Sequence, residues 1–150
     1  MCGLSGAVHP AGTPPVDELT LVAMRDSLTH RGPDDADHRI GPGVALASRR
    51  LAILDLSRRG RMPMESPDGR YWITYNGEVY NFRELRAGLE DRGQSFVSNS
   101  DTEVILRLFA GEGPAMLHRL NGMFALAIWD SAERSLFLAR DRLGIKPLYH

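Results

Sequence analysis

Lysine and cysteine are almost missing from this chain of 150 residues, which holds one of each, Lys146 and Cys2. A single cysteine excludes an intrachain disulfide framework and a CxxC metal site, and it fits a reducing cytoplasm. The five histidines show no HxxxH or HExxH spacing, so no metal centre is expected. Neither a GxxxxGK[ST] nor a GxGxxG loop is present, so no nucleotide site is expected in this chain. The longest apolar run, Gly122–Trp129, is far too short to cross a bilayer. The N-terminus has no basic n-region and reaches His9-Pro10 at once, which is not the pattern of a secretory signal. With 18 basic and 19 acidic residues the formal charge is -1. That provides no general field for nucleic acid or for an anionic membrane. The basic charge is carried by 17 arginines. We read this mostly as codon bias, although arginine also suits bidentate carboxylate binding.

What is present is globular. Hydrophobic residues make up 43% and charged residues 25%, which predicts one folded domain able to bury about 68–70% of its unfolded surface. Gly3–Val8 is small and apolar and reads as a strand. Ala11–Pro15 is predicted as loop and Val16–Leu28 as a helix, with Val16, Leu19, Val22, Ala23 and Leu28 near helical spacing. His30–Gly43, rich in Gly, Pro and Asp, reads as loop. Val44–Leu56 reads as two short strands with Arg49-Arg50 near their join, and Arg58–Gly69 as loop. Tyr71–Tyr75 alternates like a strand, ended by Asn76-Gly77. Asn81-x-x-Glu84 and Ser100-x-x-Glu103 resemble capping boxes that open helices over Phe82–Arg92 and Asp101–Phe109. A short helix over Pro114–Leu120 is followed by strands Met123–Trp129 and Leu136–Arg140 around a hairpin loop. Leu148-Tyr149-His150 reads as the start of another strand, which predicts a domain incomplete at its C-terminal end. The pattern is mixed α+β, without repeats or linkers.

Four places could carry chemistry. Cys2 follows Met1, whose removal is favoured by a small second residue. The mature chain would then begin with a thiol and a free α-amine on one residue. An α-amine titrates near about 7.7–8.0, so it can take the thiol proton and act as general base without a histidine. Gly3 beside it lets a substrate approach the backbone. Asn76-Gly77 is by local preference a hairpin turn. Alternatively, the Asn76 amide and the Gly77 N–H form an oxyanion hole. Arg49-Arg50 is either a pair of surface cations or a planar fork for a carboxylate. Asp101 is either a helix-dipole partner or the acceptor of a substrate ammonium.

Seven blocks together resemble one family: MCGLSGAV at the N-terminus, HRGPDD at 30–35, SRRLAILDLS at 48–57, YNGEVYNFRELR at 75–86, SDTEVIL at 100–106, LNGMFALAIWD at 120–130 and ARDRLGIKPLY at 139–149. They are similar to the glutaminase domain of glutamine-dependent asparagine synthetases, a class II glutamine amidotransferase domain with the N-terminal-nucleophile hydrolase fold. The resemblance spans the whole chain. It implies a four-layer αββα sandwich and hydrolysis of L-glutamine to L-glutamate and ammonia. Cys2 matches the nucleophile, and Asn76 with Gly77 the oxyanion hole. Arg50 matches the arginine that binds the glutamine carboxylate, and Leu51, Ile53 and Leu54 the pocket segment after it. Glu78 and Asp101 match the acidic residues around the glutamine α-amino group, and Arg31 a residue near the nucleophile. Met62 departs from the pattern by replacing the glutamine of a glycine-x-glutamine-proline-methionine turn, which questions the hydrogen bonding of that loop.

Family members continue into further strands and an ATP-dependent synthetase domain, which these 150 residues lack. The resemblance therefore implies no cofactor in this chain, with ATP and Mg expected only for the missing domain. It implies L-glutamine and an ammonia-accepting synthetase domain as partners, and it allows a homodimer. The ammonia would serve asparagine synthesis from aspartate. Two alternatives stay open: the same glutaminase domain serving another amide-forming synthetase, and an inactive glutamine-binding remnant.

Overall fold

A computed structural model describes residues 1–10 and 13–150. The predicted loop Ala11–Pro15 therefore lies partly outside the described residues, and Thr13–Pro15 has no regular structure. The elements run β1 (Gly3–Val8), α1 (Glu18–Asp26), β2 (Asp35–Gly41), β3 (Val44–Arg50), β4 (Met64–Glu65), β5 (Tyr71–Val79), α2 (Phe82–Glu90), α3 (Asp101–Glu112), β6 (Gly122–Asp130) and β7 (Ser135–Arg140). Short 3-10 segments occupy Arg58–Gly60 and Gly113–His118, the latter overlapping the short helix expected over Pro114–Leu120. No helix among the described residues is long and apolar enough to cross a membrane.

Two antiparallel sheets result, one ordered β1-β3-β2 and the other β4-β5-β6-β7. Period-two alternation sends successive side chains to opposite faces of each sheet. Ala45 and Ala47 of β3 pack against Leu21 of α1. Val44 and Leu46 face the other way, onto Trp72 and Trp129 of the second sheet. On that second sheet Ile73, Tyr75, Leu126 and Ile128 turn outward onto Leu85, Leu89, Ile105 and Leu108 of α2 and α3. The layers are thus α1, sheet, sheet, and α2 with α3, the αββα sandwich. Each fully buried aliphatic side chain in these interfaces stabilises by about 1.5–3 kcal/mol.

Several expectations are corrected. Within His30–Gly43, residues Asp35–Gly41 form a strand rather than loop. β2 is an edge strand bonded to β3 alone, so it does not need an apolar face on both sides. Its polar side chains are held by ion pairs instead, Arg61 to Asp35 at 2.7 Å and Arg39 to Glu65 at 2.7 Å. Val44–Leu56 is one strand ending at Arg50, followed by an irregular loop, not two strands. Asn76-Gly77 does not end β5: the strand continues to Val79, with Asn76 opposite Ala125 and Gly77 opposite Phe124. Leu148–His150 forms no strand.

The two capping boxes differ in outcome. Ser100 accepts the Glu103 N–H at 3.3 Å, as an N-cap should. The Glu103 carboxylate, however, takes the N–H groups of Val97 and Ser98 rather than that of Ser100. Asn81 does not cap α2 through its side chain. Its amide instead ties the turn to the start of β6, donating to Arg119 O and accepting from Asn121 N, each at 3.0 Å.

Candidate active site

The first sheet delivers two site residues side by side. Gly3 of β1 is opposite Arg49 of β3, so the antiparallel register brings Cys2 to the level of Arg50. Cys2 is half-buried, with Sγ 3.8 Å from the Leu51 carbonyl. Arg31 Nε donates to the Cys2 carbonyl at 3.3 Å. Asp34 braces the same loop: its N–H donates to Arg50 O, and its carboxylate accepts from Ala52 N. Arg49 and Arg50 point to opposite faces. Arg49 reaches Gly32 O and Asp26, and only Arg50 faces the site.

Arg50 is buried and already anchored. Its guanidinium donates to the carbonyls of Ser57, at 3.0 Å, and of Asp55. Gly60 packs beside it, and a Cβ there would push the Arg50 guanidinium out of place. Two of its five N–H donors thus hold the loop after β3. Asp55 joins this loop to the one before α3 by accepting from Ser57 N and Asn99 N, both at 2.8 Å. Burial pushes the Asp55 carboxyl up, but these bonds and the Arg50 charge outweigh it and hold it below the usual range.

The second sheet supplies Asn76, Gly77 and Glu78. Asn76 is buried and shares the inward parity of Trp72. Gly77 cannot carry a side chain, since a Cβ would meet Met123 O at 2.2 Å. The N–H of Val79, two residues on, donates to Asp101 at 2.9 Å and not to β6. Across from Gly77, both backbone groups of Phe124 are taken by Asp141. Gly77 and Phe124 are therefore a non-hydrogen-bonded pair, and the Gly77 N–H points off the open edge of β5. β4 covers that edge only opposite Trp72 and Ile73.

Asp101 sits at the first position of α3, where one carboxylate oxygen accepts from Tyr75 OH at 2.7 Å and from Val79 N. Burial raises its pKa, against the lowering effect of the Tyr75 bond, and the nearby Glu78 charge raises it further. An ammonium placed beside Asp101 would favour its carboxylate in the charged form.

All nine residues singled out for catalysis or substrate binding line one cavity of about 90 Å3: Cys2, Arg50, Leu51, Ile53, Leu54, Asn76, Gly77, Glu78 and Asp101. Arg31 borders Cys2 without lining it. Met1, Asp55, Tyr75 and Lys146 also line it and were not anticipated. The uniqueness of Lys146 was visible in the sequence, but its place was not. Met62, the departure from the family turn, is buried and keeps its loop on α3, with Sδ 3.9 Å from Thr102 Oγ1. Among the described residues no cluster of three or more metal-ligating side chains occurs.

The cavity thus brings a thiol, a buried guanidinium, a side-chain amide and the carboxylates of Glu78 and Asp101 together. Comparison with known families decides the matter, because a family model described as a glutamine amidotransferase domain matches residues 1–150. The chain belongs to this glutamine amidotransferase domain family. The domain is 42% identical to asparagine synthetase [glutamine-hydrolyzing] 2 of Bacillus subtilis strain 168, covering 100% of this chain and 20% of that protein. It is also 42% identical to asparagine synthetase B [glutamine-hydrolyzing] of Escherichia coli K12, covering 99% and 26%. The amidotransferase chain thus spans about a fifth to a quarter of the length of these curated relatives. Among solved structures, an allosteric regulatory enzyme of purine biosynthesis aligns with a TM-score of 0.61 at 23% identity, over 96% of this chain and 32% of that one. Glutamine phosphoribosylpyrophosphate amidotransferase from B. subtilis aligns with a TM-score of 0.58 at 24% identity, over 69% and 24%. The domain therefore shares the fold of these two enzymes.

Proposed function

We propose that this domain hydrolyses L-glutamine to L-glutamate and ammonia, with Cys2 as nucleophile. The observation that carries the reading is the convergence of Cys2, Arg50, Asn76, Gly77 and Asp101 on one cavity from two sheets and a helix. Hydrolysis of the Met1–Cys2 bond frees the α-amine. The amine takes the thiol proton, and Sγ attacks the glutamine side-chain amide carbon. The Asn76 amide and the Gly77 N–H hold the oxyanion that forms. The carbon–nitrogen bond then breaks, and the nitrogen leaves as ammonia with the proton held by the amine. Water, deprotonated by the same amine, attacks the thioester and releases glutamate. Arg50 faces the substrate carboxylate while Glu78 and Asp101 face its ammonium, so both ends of a free amino acid are read. The names of the relatives support delivery of the ammonia to ATP-dependent synthesis of asparagine from aspartate. In that reading ATP and Mg serve a synthetase domain outside these residues, and the work is done in the cytoplasm.

The test is direct. Intact-mass measurement of the active protein should show a chain beginning at Cys2, with equimolar glutamate and ammonia formed from glutamine. Active protein that retains Met1 would overturn the mechanism, because the amide nitrogen of Cys2 is no base.

Arg50→Lys should raise KM for glutamine by about 10- to 100-fold with kcat nearly kept, the cost of losing one charge-assisted hydrogen bond. Lysine keeps the charge but cannot bond the Ser57 and Asp55 carbonyls and a carboxylate together. Steady-state glutamate release reads the two parameters separately.

A further inference from the structure

Lys146, the chain's single lysine, is 4% exposed and lines the same cavity as Cys2. Among the described residues its Nζ meets one polar partner, the thioether of Met1. A thioether is a weak acceptor, and a buried cation without a charged partner is costly. The position is nonetheless built. The Lys146 N–H donates to Asp141 at 3.0 Å, and the same carboxylate takes the N–H groups of Phe124, Leu143 and Ile145. Asp141 thus fastens the lysine to the β6 residue opposite Gly77.

The other charges of the cavity have partners or tasks. Asp55 is held by Ser57, Asn99 and the Arg50 charge. Asp101 is held by Tyr75 and Val79. Arg31 serves the Cys2 carbonyl. Glu78 stands at the substrate-ammonium side in the reading above. Removal of Met1 takes away the one partner that Nζ has among the described residues and frees the amine of Cys2 in the same event.

We propose that Lys146 is a positioning residue for the nucleophile, its ammonium facing the Cys2 terminus of the mature chain and favouring the thiolate and the neutral amine. The inference rests on Cys2 being the nucleophile. A nearby cation stabilises a thiolate and disfavours a second cation on the amine. The thiol proton goes to the amine as before.

The sole cysteine and sole lysine make the test clean. In the mature chain that begins at Cys2, the rate of alkylation by iodoacetamide against pH reports the Cys2 thiol alone. Lys146→Met should move the midpoint up by about one pH unit, leaving about tenfold less thiolate near neutral pH. The acid limb of kcat/KM should move with it, and Lys146→Arg should restore both. A variant that only loosened packing would not shift a titration and recover it with charge.

The unmodified sequence offers an arm that needs no variant. By linkage, alkylating Cys2 should lower the Lys146 titration, read by nitrogen NMR at Nζ, by the same amount. Unchanged midpoints in these arms, with Cys2→Ala inactive, would overturn the role of Lys146 and leave the nucleophile standing. A Cys2→Ala protein that still turned over glutamine would instead overturn the reading beneath it.

Discussion

Cys2→Ala is expected to lower glutamate release from glutamine by about 10⁴-fold or more, since removing the nucleophile of a preassembled site costs on the order of 10⁶ in a well-studied protease. In the proposed reading Arg50, Glu78 and Asp101 would still bind glutamine, so the loss should fall on kcat. The fold should tolerate the change. Cys2 lies ahead of β1, half-buried, with its sulfur against the edge of the main core. Deleting one sulfur there should cost about 1 kcal/mol, comparable to a small aliphatic truncation. Thermal unfolding followed by circular dichroism should show a midpoint lower by only about 2–4 °C. Turnover near the parent rate would place the nucleophile elsewhere, whereas a collapsed melting transition would make Cys2 a structural residue.

Asn76→Ala is expected to lower kcat by about 10²–10³ with KM little changed, the loss typical of one oxyanion donor. The structure makes this substitution informative. Asn76 lies within β5, opposite Ala125, and its backbone stays in the ladder whatever the side chain. Its buried amide makes no hydrogen bond to protein that the truncation would break among the described residues. The change therefore removes a donor from the cavity and little else. Steady-state kinetics decide it: an intact kcat would reduce the Asn-Gly pair to an element of the strand.

The Asn-Gly pair also shows how local and tertiary signals part. In isolation it prefers a two-residue hairpin, because both residues tolerate positive φ. Here Asn76 and Gly77 are extended, and what selects glycine is the approach of Met123 O from β6. A strand contact between residues 46 positions apart leaves no local trace. β2 carries no local strand signal for a related reason. Its Asp, His and Arg side chains lack the alternation of a half-buried strand, and its pairing to β3 with ion pairs outward is visible only in the assembled sheet. The Asn81 box failed because the loop before β6 offered its backbone as a better partner for that amide.

Legibility was greater for the site than for the strands around it. The seven blocks named every residue expected for chemistry, and all nine of those proposed for catalysis or binding line the cavity. Met1, Asp55, Tyr75 and Lys146 escaped notice because burial and facing direction, not residue type, bring them there.

By itself the sequence determined the family, the αββα class, the position of the thiol at the second residue and the residue types available for chemistry. The family and the αββα class follow from the resemblance that the seven blocks carry, and the reactive terminus from the small residue after Met1. The tertiary structure alone decided that β3 sends Arg50 inward and Arg49 away, and that the edge of β5 is open where the Gly77 N–H points outward. It alone seated the single lysine in the cavity of the single cysteine. The physical reason is that register and edge exposure are set by which strands pair, and pairing draws on hydrogen bonds between residues far apart in the chain.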